Sequence, residues 1–405
     1  MSQKYYEDDS VTLYHGDCLD ILRELPENSV DSVVTDPPYG FSTSSSKSIV
    51  EVVRAWVSGD TSYVPPKGNS RGMGSRFDST VGAWDVFCPP PAIWEQAFRV
   101  LKPGGFLLAS SAPRMVDVMS ISIRIGGFEI WDQIAWIRGG GMPKGYNVGK
   151  MITALQRGFS PEASGISRAA HEDGGVLRLT EDGNKWRGWG QRLKPANEPI
   201  IVARKPHEGT LAENVLKFGT GGLNIDATRY GDASPSIERK AAQRKVLARG
   251  SQYGGAQLYS PFTADIAAAR DSDALGRWPT DVALDTDAHA TMVEEAPQSA
   301  PLFPVFKYSP VAPPRERPSY VNESGETVRH PTVKPLELMR WLVRLVSAPG
   351  ATILDPFAGT GTTAEACVAE GFKCIAIERE ESYLPLIMQR LTKTTEMTLD
   401  LGGVQ

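Results

Sequence analysis

Apolar runs of strand length, each stopped by turn residues, alternate with stretches of helical period at both ends of this 405-residue chain. Residues 11–14 read as a short strand ended by Gly16-Asp17, residues 19–25 as a short helix, and residues 30–35 as a second strand. Residues 92–101 place Ile93, Ala97 and Val100 at core spacing on a helix. Lys102-Pro103-Gly104-Gly105 breaks that helix before a buried strand at 106–109. A helix at 116–125 leads to a strand at 129–137, and residues 198–203 read as one more strand. The alternation returns near the end, with a broad apolar helical face over 335–347, then strand 351–354, helix 362–370, strand 373–377 and helix 382–391. Strands alternating with helices predict an α/β fold on a parallel sheet.

Two stretches interrupt the pattern. Residues 41–91, with Ser42-Thr43-Ser44-Ser45-Ser46, several glycines and Cys88-Pro89-Pro90-Pro91, read as a long mobile insertion. Residues 207–325 carry many prolines, Gly219-Thr220-Gly221-Gly222 and no long amphipathic period, and read as a separate inserted module. The predicted division is therefore 1–206, 207–325 and 326–405, with 41–91 a mobile part of the first.

Composition removes several function classes. No apolar run approaches the roughly 20 residues that span a bilayer, and the acidic, polar start is no signal peptide. Cys18, Cys88, Cys367 and Cys374 form no CxxC pair and the 5 histidines are scattered. Neither a disulfide framework nor a metal site is expected, and a reducing cytoplasm is the default location. A formal net charge of −5 argues against a nonspecific coat of nucleic acid, while leaving room for a local basic groove.

The chemistry concentrates at two strand ends. Asp36-Pro37-Pro38-Tyr39 follows the 30–35 strand, so a carboxylate, a stiff prolyl turn and an aromatic face stand together. Acceptors beside a stacking ring suit a planar, amino-bearing ligand such as a nucleobase. The competing role for Asp36 is a turn cap. Asp355-Pro356-Phe357-Ala358-Gly359-Thr360-Gly361-Thr362-Thr363 echoes it after the 351–354 strand, as a glycine turn opening a helix. Glu378 closes the next strand about 20 residues beyond Gly359, where an acidic residue can accept from both ribose hydroxyls. Gly359-x-Gly361-x-x-Ala364 alone also fits a dinucleotide fingerprint, which leaves an NAD-dependent oxidoreductase as a rival, or a turn that only packs helix on strand. Both strand-end segments would sit at the carboxyl edge of the sheet, where open α/β folds bind ligands.

Taken together, Asp36-Pro37-Pro38-Tyr39 and Phe357-Ala358-Gly359-Thr360-Gly361 resemble the paired signature of S-adenosylmethionine-dependent DNA amino-methyltransferases. The order, catalytic segment first and cofactor segment last with a variable region between, resembles their β group. Two further segments, Trp186-Arg187-Gly188-Trp189-Gly190 and Leu193-Lys194-Pro195-Ala196-Asn197-Glu198-Pro199, look like its bacterial and phage-borne branch. The resemblance covers roughly residues 11–40, 92–206 and 330–392. It implies a Rossmann-like mixed sheet with helices on both faces and an irregular target-recognition region at 207–325.

The same resemblance assigns roles. S-adenosylmethionine would be the cofactor, with Asp17 on its adenine, Thr332 and Lys334 of His330-Pro331-Thr332-Val333-Lys334-Pro335 at its methionine end, and Asp355, Phe357, Gly359, Gly361, Thr362 and Glu378 around it. Asp17 would equally serve as a helix N-cap, and His330 as a structural part of the prolyl turn. Asp36, Pro37, Pro38 and Tyr39 would be catalytic. The Asp36 carboxylate and Pro37 carbonyl accept the hydrogens of an adenine N6 amine, which frees its lone pair for in-line attack on the sulfonium methyl. The base must leave the duplex to be reached, and Tyr39 would stack on it. Trp136 is either a second wall of that pocket or a core residue. A cytosine-N4 enzyme faces the same chemical problem, and Asp36 in the first place tilts towards adenine. A noncatalytic DNA-binding relative would not need both segments intact.

Double-stranded DNA is the expected partner. Arg239, Lys240, Arg244, Lys245 and Arg249 cluster in the 207–325 region, either as a solvated helix face or as phosphate contacts with some arginines on guanine edges. The second role is the one expected here. The resemblance is also compatible with a homodimer and with a cognate restriction endonuclease on a separate chain.

Overall fold

The computed structural model describes residues 3–40, 46–66, 85–140, 147–230, 278–297, 299–300, 303–306 and 316–401. Its centre is a nine-stranded sheet in the order β1-β2-β11-β10-β3-β4-β6-β5-β7. These strands are β1 (Gln3–Glu7), β2 (Val11–His15), β3 (Val30–Thr35), β4 (Leu101–Ser110), β5 (Glu129–Ile137), β6 (Asn197–Arg204), β7 (Val282–Leu284), β10 (Thr352–Asp355) and β11 (Lys373–Glu378). A separate hairpin pairs β8 (Ser319–Val321) with β9 (Thr327–Arg329). The five central strands β2, β11, β10, β3 and β4 run parallel. β6 runs against both β4 and β5, and β1 against β2, which makes the sheet mixed.

Period-2 alternation in the strands divides the core between two faces. Val34, Leu108, Ile200 and Val202 face helices α10 (Leu336–Val346), α11 (Thr362–Ala369) and α12 (Leu384–Leu401). Their immediate neighbours Val33, Leu107 and Ile201 face the other way. They meet α1 (Cys18–Glu24), α2 (Ser46–Val57), α3 (Pro91–Val100) and α4 (Val116–Ile125). In α10 the apolar residues at i, i+3 and i+4 put Leu338, Met339, Leu342, Val343 and Val346 under the sheet, all essentially buried. Helices on both faces of a Rossmann-like sheet match the expected fold.

Several expectations change. Residues 41–91 are not wholly irregular, because α2 forms within them and buries Val52 and Trp56 against the second face. Residues 207–325 are not wholly separate either. They contribute α8 (Leu211–Phe218), opened by the capping box of Thr210 and Glu213, and α9 (Thr286–Glu295). β7 from the same stretch pairs with β5 and extends the main sheet. α3 ends at Val100 as expected, but the strand after it starts at Leu101 and not at 106, so Lys102-Pro103-Gly104-Gly105 lies within β4, where a register shift against β3 absorbs the irregularity. Residues 147–196, for which no elements were expected, form α5 (Val148–Gln156), α6 (Ala163–Glu172) and α7 (Glu181–Lys185), with Val148, Met151, Ile152 and Leu155 at helical spacing in α5. Among the described residues, no helix is long and apolar enough to cross a membrane.

Candidate active site

The parallel strands deliver four chain segments to one sheet edge. β3 pairs with β10 through Ser32 with Ile353 and Val33 with Leu354, so the two Asp-Pro strand ends stand side by side. Thr35 Oγ1 donates to Asp355 Oδ1 at 2.7 Å across a sequence separation of 320 residues. The next strand along, β11, ends in Glu378 opposite His15 of β2, and the Gly16 amide donates to the Glu378 carbonyl at 3.0 Å. Asp17 follows, and its side chain caps α1 by accepting the Leu19 amide at 2.9 Å. Asp17, Glu378, Asp355 and Asp36 therefore line up in strand order along the carboxyl edge, where the crevice of an open α/β sheet lies.

They open onto a single cavity of about 1060 Å³. Asp36, Pro37, Pro38, Tyr39, Asp17, Thr332, Lys334, Asp355, Phe357, Gly359, Thr362 and Glu378 all line it. Trp136 also lines it while being almost fully buried, so its two expected roles coincide. Gly361 is the exception among the expected residues. It sits off the cavity wall at the N-cap of α11 with φ 77°, where a Cβ would stand 2.8 Å from Ile387 Cγ2. Turn geometry and helix packing by themselves require glycine there. Arg239, Lys240, Arg244, Lys245 and Arg249 lie outside the described residues.

At the glycine turn, Glu378 Oε2 accepts the Gly359 amide at 2.7 Å and Oε1 accepts the Glu380 amide at 2.8 Å. Each oxygen keeps lone-pair capacity for a further donor. Burial pushes the Glu378 carboxyl up to about 7, against the pull of those two amides. Burial likewise pushes Asp355 up to about 6, although hydrogen bonds from Thr35 and Thr363 oppose it. Phe357 is fixed by an edge contact with Trp94, ring centroids 6.2 Å apart.

The Asp36 end is built around a cation. Lys334 Nζ lies 2.6 Å from Asp36 Oδ2, 2.7 Å from Glu198 Oε1 and 2.8 Å from the Tyr39 hydroxyl, so all three of its donors have acceptors. The single Tyr39 hydroxyl proton is shared between Asp36 Oδ1 at 2.7 Å and Glu198 Oε1 at 2.9 Å. Arg138 flanks the far oxygen of Glu198 at 3.4 Å. Burial opposes the charge on Lys334, but the two carboxylates outweigh it and raise its pKa above the ordinary lysine value. Glu198 mirrors this: burial would raise it, yet Lys334 and Arg138 hold it below the usual range. Burial raises the Tyr39 hydroxyl well above its ordinary value, with both carboxylates adding to the effect.

Lys334, expected at the methionine end of a cofactor, lines the cavity and ties the Asp36 segment together through its side chain. Glu198 and Arg138 carry no sequence signal of their own as site residues. Glu198 falls within the segment that resembles the bacterial and phage-borne branch, but only the antiparallel entry of β6 at this edge brings it to Tyr39. Asp85 is a further such residue, a buried carboxylate that accepts the Gly40 amide at 2.5 Å and secures the chain leaving Tyr39. His330 packs edge-on to Tyr383 with centroids 4.8 Å apart, and its Nδ1 contacts the Thr332 carbonyl within the prolyl turn.

The open α/β sheet thus brings a glycine turn, an acidic strand end and a carboxylate-aromatic segment onto one cavity. Residues 30–389 match the model of the DNA methylase family that covers N6 and N4 enzymes, and the chain belongs to that family. It is 20% identical over 387 residues to the type II methyltransferase M.HindIII of Haemophilus influenzae, covering 94% of each chain. A local stretch of 66 residues is 41% identical to the DNA adenine methyltransferase YhdJ of Escherichia coli, spanning 16% of this chain and 22% of that protein. Among solved structures, the cytosine-N4-specific PvuII DNA methyltransferase aligns with a TM-score of 0.44 and 12% identity over 98% of this chain and 93% of its own. Family membership displaces the oxidoreductase alternative.

Proposed function

We propose that this chain transfers a methyl group from S-adenosylmethionine to the exocyclic N6 amine of an adenine flipped out of double-stranded DNA. The observation that carries the reading is that Asp36 and Tyr39 share one cavity with Gly359 and Glu378. The cavity, about 1060 Å³, exceeds the size of an ordinary small-molecule pocket and leaves room for cofactor and base together. Its polar groups fit the cofactor: Glu378 offers acceptors for ribose hydroxyls, Asp17 a carboxylate for an amino group, and Gly359 a turn without a side chain. S-adenosylmethionine, when bound there, supplies an electrophilic methyl group on a sulfonium centre.

The rest of the chemistry falls to this chain's own residues. Asp36 and the Pro37 carbonyl accept the two amino hydrogens, favouring a pyramidal nitrogen with an available lone pair. Lys334 holds the Asp36 carboxylate in position through Oδ2, and Tyr39 steadies Oδ1. The same hydroxyl anchors the Tyr39 ring, whose face would stack on the extruded base and offset part of the unstacking cost of a few kcal/mol. Holding that nitrogen in line with the methyl carbon would supply much of the acceleration, with S-adenosylhomocysteine as the leaving group and one amino proton lost. Arg239, Lys240, Arg244, Lys245 and Arg249 would supply phosphate contacts in the target-recognition region.

Aspartate in the first place of the tetrapeptide favours adenine; cytosine N4 is the second reading, since its amine needs the same acceptors. The test is to incubate the protein with radiolabelled S-adenosylmethionine and unmethylated genomic DNA, then digest the DNA to nucleosides. Label in N6-methyladenine is expected. Label in N4-methylcytosine would replace the first reading with the second, and no label in DNA would remove both.

A further inference from the structure

The loop from Trp186 to Ala196 joins α7 to β6 along the rim of the cavity, and it is pinned at both ends. Asn147 bridges Gly190, and the Val148 amide donates to the Trp189 carbonyl at 2.8 Å. At the other end the Arg138 amide donates to the Ala196 carbonyl at 2.7 Å, and Lys194 Nζ donates to the Gly139 carbonyl at 2.5 Å. Between these anchors the loop does what a folded chain ordinarily avoids. Leu193 is 93% exposed although it lines the same cavity as Asp36, and Trp189 and Trp186 behind it are 61% and 44% exposed. The two indoles support each other edge-on, centroids 5.1 Å apart.

Isolated exposed apolar side chains need no explanation, but three large ones within eight residues, the last of them lining the cavity, do. The charge around them narrows the occupant. Arg187 and Arg192 are exposed beside them. Arg192 and Arg114 both line the cavity, and burial together with the Arg192 charge lowers the pKa of Arg114. An acidic chain that concentrates arginines beside exposed leucine and tryptophan presents a surface for a polyanion with an apolar interior. Duplex DNA has that chemistry.

We infer that the 186–196 loop is the strand-opening element of the site, with Leu193 entering the base stack in the space vacated by the target base and Arg187 and Arg192 on the flanking phosphates. Apolar wedges inserted between base steps are an established way to unstack a duplex, and the double anchoring gives this one a fixed backbone. The inference rests on the proposed base-flipping transfer.

The experiment first reads the target sequence from the positions that wild-type protein methylates in unmethylated genomic DNA. It then compares wild type with Leu193→Ala on two synthetic duplexes, one with the target base fully paired and one with it opposite an abasic site. On the paired duplex the variant should lose about tenfold or more in kcat/KM, because the cost of extrusion is no longer offset. On the abasic duplex, where that cost is smallest, the variant should recover to within about twofold of wild type. Affinity for S-adenosylmethionine, read by equilibrium dialysis, should be unchanged. Equal rates for variant and wild type on paired DNA would overturn the inference, as would an equal loss on both duplexes. So would loss of self-association in the variant without a difference between the duplexes, which would make the loop a contact between copies. Failure of wild type to methylate any DNA is a separate outcome that removes the underlying reading and the wedge with it.

Discussion

Lys334 Nζ sits 2.6 Å from Asp36 Oδ2 and 2.7 Å from Glu198 Oε1, so one ammonium bridges a carboxylate that leaves β3 and another that enters β6. Removing it strands two carboxylates in a poorly solvated wall, where an uncompensated charge is costly. Lys334→Met should lower the unfolding free energy by about 3 kcal/mol in denaturant titration. Adding Glu198→Gln should recover part of that loss, because the two residues belong to one network and their effects do not add. Additive losses would show that Lys334 acts elsewhere.

Asp36→Ala should reduce methyl transfer by about 100-fold or more while leaving cofactor affinity within about threefold, since the lost acceptors act only on the amine. Comparable loss of cofactor affinity would place Asp36 at the cofactor instead.

Tyr39 separates stacking from tethering. Tyr39→Phe keeps the ring face and loses the hydroxyl bonds to Asp36, Glu198 and Lys334. Tyr39→Ala loses both. If stacking dominates, the phenylalanine variant should retain transfer within about tenfold of wild type and the alanine variant should fall at least about tenfold further, in line with about 1–3 kcal/mol per stacked base. Equal losses would assign the residue to its hydroxyl.

Glu378 gives a pH signature. Its carboxyl, pushed up to about 7 by burial, must be ionised to accept from ribose hydroxyls without giving up an acceptor site. Affinity for S-adenosylmethionine should therefore rise as pH increases through about 7 and level off above it, and the dependence should vanish in Glu378→Gln. The stability of the free protein should move oppositely. A carboxyl raised from its ordinary 4.5 contributes stability that is present below that value and lost as pH rises towards 7. Calorimetric binding across this range, with melting of the free protein alongside, checks both signs.

Gly361→Ala tests the turn independently of chemistry. With φ at 77° and Ile387 Cγ2 2.8 Å from the added carbon, the substitution should cost about 1–3 kcal/mol and lower Tm. An unchanged Tm would mean that the turn and α12 relax freely.

Much of the architecture was legible because it is local. Each central strand is an apolar run of the right length, and α10 declares its buried face by spacing alone. What failed was also physical. Val282–Leu284 is three residues long, too short for a period, and is a strand only because β5 offers an edge. α2 carries Ile49, Val52, Val53 and Trp56 at helical spacing, but serines and glycines on either side dilute that signal, and only the packing of Val52 and Trp56 against the second face makes the segment part of the core.

The sequence by itself determined the two Asp-Pro strand ends, the glycine turn, the acidic residue after it and their order, since covalent neighbours and turn chemistry fix these. Only the tertiary structure decided that Gly361 stands behind the cavity wall. It alone turned Lys334 towards Asp36 and made Glu198 and Arg138 members of the site. Those facts depend on which strands lie beside each other and which run antiparallel. Such pairings bring residues hundreds of positions apart within hydrogen-bond distance, and nothing in the local pattern encodes them.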